Sequence, residues 1–173
     1  MDVAGNPQAN QSAPGAHPGT AAAGFDEPPP ALLVKGIREF NEGRYWECHE
    51  TLEELWRAEP RPVRDLYQGI LQVGVGFHHL RRGNHAGAVK VMGRGLARLR
   101  SLPEVCQDVR VAELADATRA VYDRVVELGP DRVGQFDVSN LPRVRIGPAG
   151  DEAALSSTLE PDELPKPASH AII

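Results

Sequence analysis

Cysteine is nearly absent. Cys48 and Cys106 are the only two in 173 residues, too few for a disulfide framework. Cys48 falls on an apolar helix face and reads as a small buried hydrophobe. Aromatic residues make up only 5% of the chain. No apolar run approaches the roughly 20 residues of a membrane-spanning helix. No basic N-terminal region precedes an apolar core, so no secretory signal is read. These absences lead us to expect a soluble cytoplasmic protein with no membrane partner. His49-Glu50 is followed by Glu53 where a zinc protease carries its second histidine, so that signature and protease activity are not expected.

Charge is also uneven. The net formal charge is −5, close to balance between Ala31 and Gln135 and acidic in the C-terminal tail. Met1 to Pro30 is built of Gly, Ala, Pro, Asn and Gln, and the stretch after Gly147 of Pro, Ser, Glu and Ala. Neither can bury enough apolar surface to order itself. The expected division is a disordered tail over 1–30, a helical domain over 31–130, and a largely disordered tail over 131–173.

Between the tails the period is helical. A first helix spans about Ala31 to Glu42, with Leu33, Ile37 and Phe40 on one face. Gly43 ends it, and a second runs from Arg44 to Ala58. A third ends near Gly83. Asn84 then caps a fourth, about His85 to Leu102, whose other face carries Lys90, Arg94 and Arg98. Ser101-Leu102-Pro103-Glu104 reads as a capping box opening a last helix, which ends at Leu128 before Gly129-Pro130. Arg143 to Ile146 is a weak extended run. The Gly43 and Gly83 corners resemble those of stacked helical hairpins. The expected fold is therefore all-α, about five helices packed as antiparallel hairpins in a bundle or tetratricopeptide-like stack.

The second and third helices carry the candidate chemistry. Tyr45, Cys48, Leu52, Leu55 and Trp56 share one side of the second. His49 sits at its margin, with Glu53 one turn on at i, i+4. The third, LYQGILQVGVGFHHL, is apolar almost all round and should be buried. One stripe breaks that rule: Gln68, Gln72 and His79 project within roughly 40° of one another. Buried polar groups need partners, because each one left unsatisfied costs about 1–3 kcal/mol. His49 and Glu53 are the nearest candidates, so a shared polar pocket is expected. His78 is a second histidine beside His79, and either one can face that pocket.

GRYWECHETLEELW, then LYQGILQVGVGFHHLRRGN, resembles the domain of unknown function 309 family over about Leu32 to Arg100. The family pattern falls on Glu47, His49, Glu50, Glu53, Trp56, Gln68, Gly69, Gln72, His79, Gly83 and Asn84. The resemblance implies a small all-helical protein under the loose label of metal-dependent hydrolase, with no substrate named.

Two functions follow from these residues. In the first, a small metal-assisted hydrolase, His49, Glu53 and His79 hold a zinc, iron or manganese ion. A bound water is then the nucleophile, Glu50 the acid/base group, and Gln68 and Gln72 orient a small-molecule substrate. Trp46, Trp56 and Glu47 line or rim the pocket. In the second, the polar network is structural and the protein is a non-catalytic helical-hairpin module that binds a peptide or another protein. Lys90, Arg94 and Arg98 invite a nucleic-acid reading, but no aromatic platform interleaves them and the chain is acidic overall.

Overall fold

Leu33, Ile37 and Phe40 recur at helical spacing and are all buried, which fixes the inner face of α1 (Ala31–Asn41) in this computed structural model, where residues 23–147 are described. Then come α2 (Tyr45–Ala58), α3 (Arg64–Arg81) and α4 (His85–Leu99). A short hairpin, β1 (Val105–Cys106) and β2 (Val109–Arg110), leads into α5 (Val111–Arg132). Five helices as antiparallel hairpins are what the sequence pattern indicated.

Gly43 and Gly83 turn the chain between helices with φ of +74° and +68°, a region where a side chain clashes with its own backbone and glycine does not. At the second corner Gly87 N donates to Asn84 Oδ1 at 2.9 Å. This is the expected cap of α4.

The central helix is α3. Its inner face carries Leu66, Tyr67, Ile70, Val73 and Phe77, all buried. Phe77 meets Phe40 and Tyr45 with ring centroids 5.8 Å apart in both cases. On the α4 side the backbones nearly touch. A Cβ placed on Gly95 would lie 3.0 Å from Gly69 O and 3.0 Å from Val73 N. The helix glycines there make room for a neighbouring helix. Gly69 faces Leu99 and Gly76 faces Met92.

Three expectations are corrected. First, α4 stops at Leu99, and Ser101 to Glu104 does not cap a helix. The hairpin intervenes, and α5 begins at Val111. Its turn residues, Gln107 and Asp108, have φ of +48° and +60°, an arrangement that costs a non-glycine residue free energy. Tertiary bonds hold it. The Gln107 side chain is buried, accepts from Tyr67 Oη at 3.0 Å and donates to Gly24 O at 3.1 Å.

Second, part of the expected N-terminal tail is packed. Ala23 is buried, Val63 N donates to Ala23 O, and Gln107 N donates to Phe25 O. Third, ordered structure runs past residue 130. Val133 and Val144 are buried, Asn41 bonds both the N–H and the C=O of Val144, and Ile146 bridges Val109. The described unit is therefore 23–147. Expectations for 1–22 and 148–173 lie outside the described residues.

Candidate functional site

Two contacts fix the register of α2 against α3. At one end the Arg64 guanidinium lies over the Trp56 ring, 5.0 Å from its centroid. At the other, Trp46 approaches His78 at 6.4 Å. The helices are antiparallel, and His49, Glu53, Gln68 and Gln72 fall within the stretch between those contacts. Two further contacts fix α3 against α4. Arg98 donates to Asp65 at 2.6 Å, and His79 packs at the α4 corner, where Asn84 Nδ2 donates to its Nδ1 at 3.1 Å.

Three lines of residues follow from that register. On α2 the line is Trp46, His49, Glu53 and Trp56, at i, i+3, i+7 and i+10. On α3 it is Arg64, Gln68, Gln72, Val75 and His79, each half-buried. On α4 it is Gly87, Val91, Arg94 and Arg98. The opposite positions of α3 are buried, Phe77 against Phe40 of α1 and Tyr67 against the Gln107 turn, so this half-buried line is the helix's more open side. It is flanked by α2 on one side and α4 on the other, both packed against α3. Glu47 and Glu50 are exposed on the α2 ridge, turned further to solvent than His49.

Unsatisfied polar atoms gather on two of these helices, α2 and α3. Among the described residues five buried side-chain polar atoms have no hydrogen-bond partner. Three of them, His49 Nδ1, Trp56 Nε1 and Gln72 Oε1, belong to the α2 and α3 lines. Trp46 stacks on the His49 imidazole, with centroids 5.5 Å apart and planes at 15°, while staying 57% exposed. An indole so exposed, covering a histidine with an unpaired nitrogen, is an unusual use of a large apolar ring. Burial, with Arg82, His79 and Arg81 nearby, holds the His78 pKa below the usual histidine range. His78 is accordingly neutral at pH 7.

The expected metal ligands are not brought together. His79 turns to Asn84 and Gly87 rather than to α2, because α4 approaches α3 closely on that side. Its neighbour His78, about 100° round the helix, is the one that meets Trp46. Glu53 is engaged by Arg57, whose Nη2 donates to Oε1 at 2.8 Å. Among the described residues no group of three His, Cys, Asp or Glu side chains is placed to hold a metal ion. The residues His49, Glu53 and His79 therefore do not fit the ion that the hydrolase reading needs.

Periodicity left His78 and His79 as alternatives and missed Arg64 and Arg57. It assigns a residue to a face but not to a neighbour, and each of these acts through a side chain on another turn or another helix. Cys48 lies nearby but is not available. Burial, reinforced by the Glu39 carboxylate, pushes its thiol up to about 12.

Residues 33–91 match the family described as Domain of unknown function (DUF309), so the resemblance read from the motif holds over that stretch. The chain is 32% identical over 100 residues to the uncharacterized protein YpuF of Bacillus subtilis (strain 168), covering 56% of this chain and 58% of that protein. It is also similar, at 21% identity over 122 residues, to an uncharacterized protein of Aquifex aeolicus (strain VF5), covering 70% of this chain and 33% of that one. This chain thus spans little more than half of the first relative's length and a third of the second's. No solved structure matches. Among the described residues no helix is long and apolar enough to cross a membrane.

Proposed function

Taking residues 33–91 as a DUF309 domain, we propose that the protein is a non-catalytic helical-hairpin module that binds an extended polypeptide segment along the α2–α3 face. One observation carries this reading: His49 Nδ1, Trp56 Nε1 and Gln72 Oε1 are buried without a hydrogen-bond partner on the neighbouring helices α2 and α3, and a peptide that parts the side chains covering them would supply the missing bonds. Peptide backbone offers donors and acceptors in alternation, the chemistry these atoms lack. Each bond restored on binding recovers part of the roughly 1–3 kcal/mol that an unpaired buried group costs. Trp46, exposed at the start of α2, supplies the large rigid contact area that binding hot spots favour.

The test is selection of a displayed random-peptide library on the full chain, with Trp46→Ala and Gln72→Ala as counter-selection baits. Enriched peptides that bind wild type and lose about tenfold or more on both variants support the reading. Peptides indifferent to both variants, or none at all, refute it. Metal analysis of untagged protein runs beside it. Stoichiometric metal lost on His49→Ala, with the fold retained, would favour a metal-assisted hydrolase instead.

A further inference from the structure

A cleft of about 370 Å³ lies between the end of α4 and the start of α5, away from the α2–α3 site. Leu99, Leu102 and Pro103 line it from the end of α4 and the segment after it, and Val111, Ala112 and Ala115 from the first turns of α5. Its charged residues are Arg100, Glu104 and Asp116, all exposed. The Arg100 guanidinium stands 3.9 Å from Asp116, so the rim keeps one carboxylate in excess. The cleft is at the low end of the roughly 300–1,000 Å³ of small-molecule sites. An apolar cleft this small suits an occupant that is already held close by.

We propose that the cleft is the docking site of residues 164–173 of this same chain, with Ile172 and Ile173 as its anchors. Three observations select that segment. The first is position. Gly147 N donates to Asp108 O at 2.9 Å and Arg110 Nε donates to Gly147 O at 3.0 Å, so the chain leaves the described unit one residue from Val111 of the cleft. The second is reach. From Gly147 to Ala171 is 24 residues, a coil whose ends lie roughly 25–30 Å apart. A tether of that kind holds the segment at an effective concentration on the order of millimolar. The third is chemistry. Ile172-Ile173 is the only adjacent pair of large apolar residues in 148–173, and 1–22 has none. Residues 148–163 carry five acidic side chains and no basic one, whereas 164–173 carry Lys166 and no acidic residue. A rim with an excess carboxylate disfavours the first stretch, Leu155 and Leu159 included, and accepts the second.

The experiment follows the backbone amides of the full chain in a proton–nitrogen correlation spectrum. Ile172→Asp with Ile173→Asp should shift the signals of Leu102, Ala112 and Ala115 and leave those of α2 in place. Leu155→Asp with Leu159→Asp should leave the cleft signals where they are. A synthetic peptide of residues 164–173, added at about millimolar concentration to the Ile172→Asp, Ile173→Asp protein, should return the cleft signals toward their wild-type positions. The same peptide with both isoleucines replaced by aspartate should bind at least about tenfold more weakly. Cleft signals indifferent to the Ile172→Asp, Ile173→Asp change overturn the proposal. So do equal shifts from the Leu155→Asp, Leu159→Asp pair, which would put the acidic stretch in the cleft. Shifts that grow with protein concentration would put a second copy's segment there and overturn it too.

Discussion

Replacing Gly95 with alanine puts a methyl group between two backbones. Its Cβ would lie 3.0 Å from Gly69 O, 3.0 Å from Val73 N and 3.0 Å from Val73 Cγ2, where ordinary contact begins near 3.4 Å. Two of those three atoms are main chain and cannot rotate away, so α3 and α4 must part by a few tenths of an ångström. Overpacking of this kind costs about 1–3 kcal/mol, against a helix-propensity gain of about 1 kcal/mol from removing glycine. The net is destabilisation by up to about 2 kcal/mol. For a domain of this size that lowers Tm by roughly 3–6 °C per kcal/mol. Gly93, two residues earlier, is the control, because its Cβ would meet only Tyr122 at 3.4 Å. Gly93→Ala should therefore stabilise by up to about 1 kcal/mol. Reversible thermal or urea unfolding measures both. Equal stabilisation by the two variants would show that α3 and α4 stand wider apart than described.

Other perturbations test other parts of the fold. Gln107→Ala removes a buried side chain and leaves both its partners, Tyr67 Oη and Gly24 O, unpaired, and should cost about 2–4 kcal/mol in urea melts; a near-neutral result would mean the turn does not depend on this knot. His49→Ala should cost under about 1 kcal/mol, since Nδ1 has no partner to lose, yet should change Trp46 fluorescence because the stacked ring is gone; global unfolding would instead reveal a structural network. Glu59 is held below the usual glutamate range chiefly by the Arg61 side chain. Its stabilising effect is present above the ordinary value of about 4.3 and is lost as pH falls through the lower folded value. Glu59→Gln should flatten acid unfolding in that window, and an unchanged curve would deny the pair any role. Burial pushes the thiols of Cys48 and Cys106 up to about 12, so a disulfide reagent at pH 8 should label both only after unfolding; fast labelling of native protein would contradict their burial.

Much of the fold was legible because its signals are local. The apolar period of each helix, the left-handed glycines at 43 and 83, and the Asn84 cap act within a few residues of themselves. The hairpin at 105–110 was not legible. Its turn uses Gln107 and Asp108 where glycine or asparagine would be the usual signal. What holds it is Tyr67, 40 residues away, while a false capping pattern at Ser101 pointed elsewhere. The same division runs through the candidate site. Periodicity assigned His49, Glu53, Gln68 and Gln72 to helix margins, and all four are half-buried. It could not show that Arg57 takes Glu53, that Arg64 covers Trp56, or that α4 draws His79 away from α2, because each depends on contacts between elements or on a choice among side-chain partners.

The chain contains two tryptophans, and both belong to α2. Their indole N–H signals in a proton–nitrogen correlation spectrum therefore report on the proposed site directly. On titration with a selected peptide, the Trp56 signal should move downfield as its unpaired N–H gains an acceptor, and the Trp46 signal should shift as its ring leaves His49. Saturable binding that moves backbone amides of α5 or the hairpin while both indole signals stay in place would contradict the account.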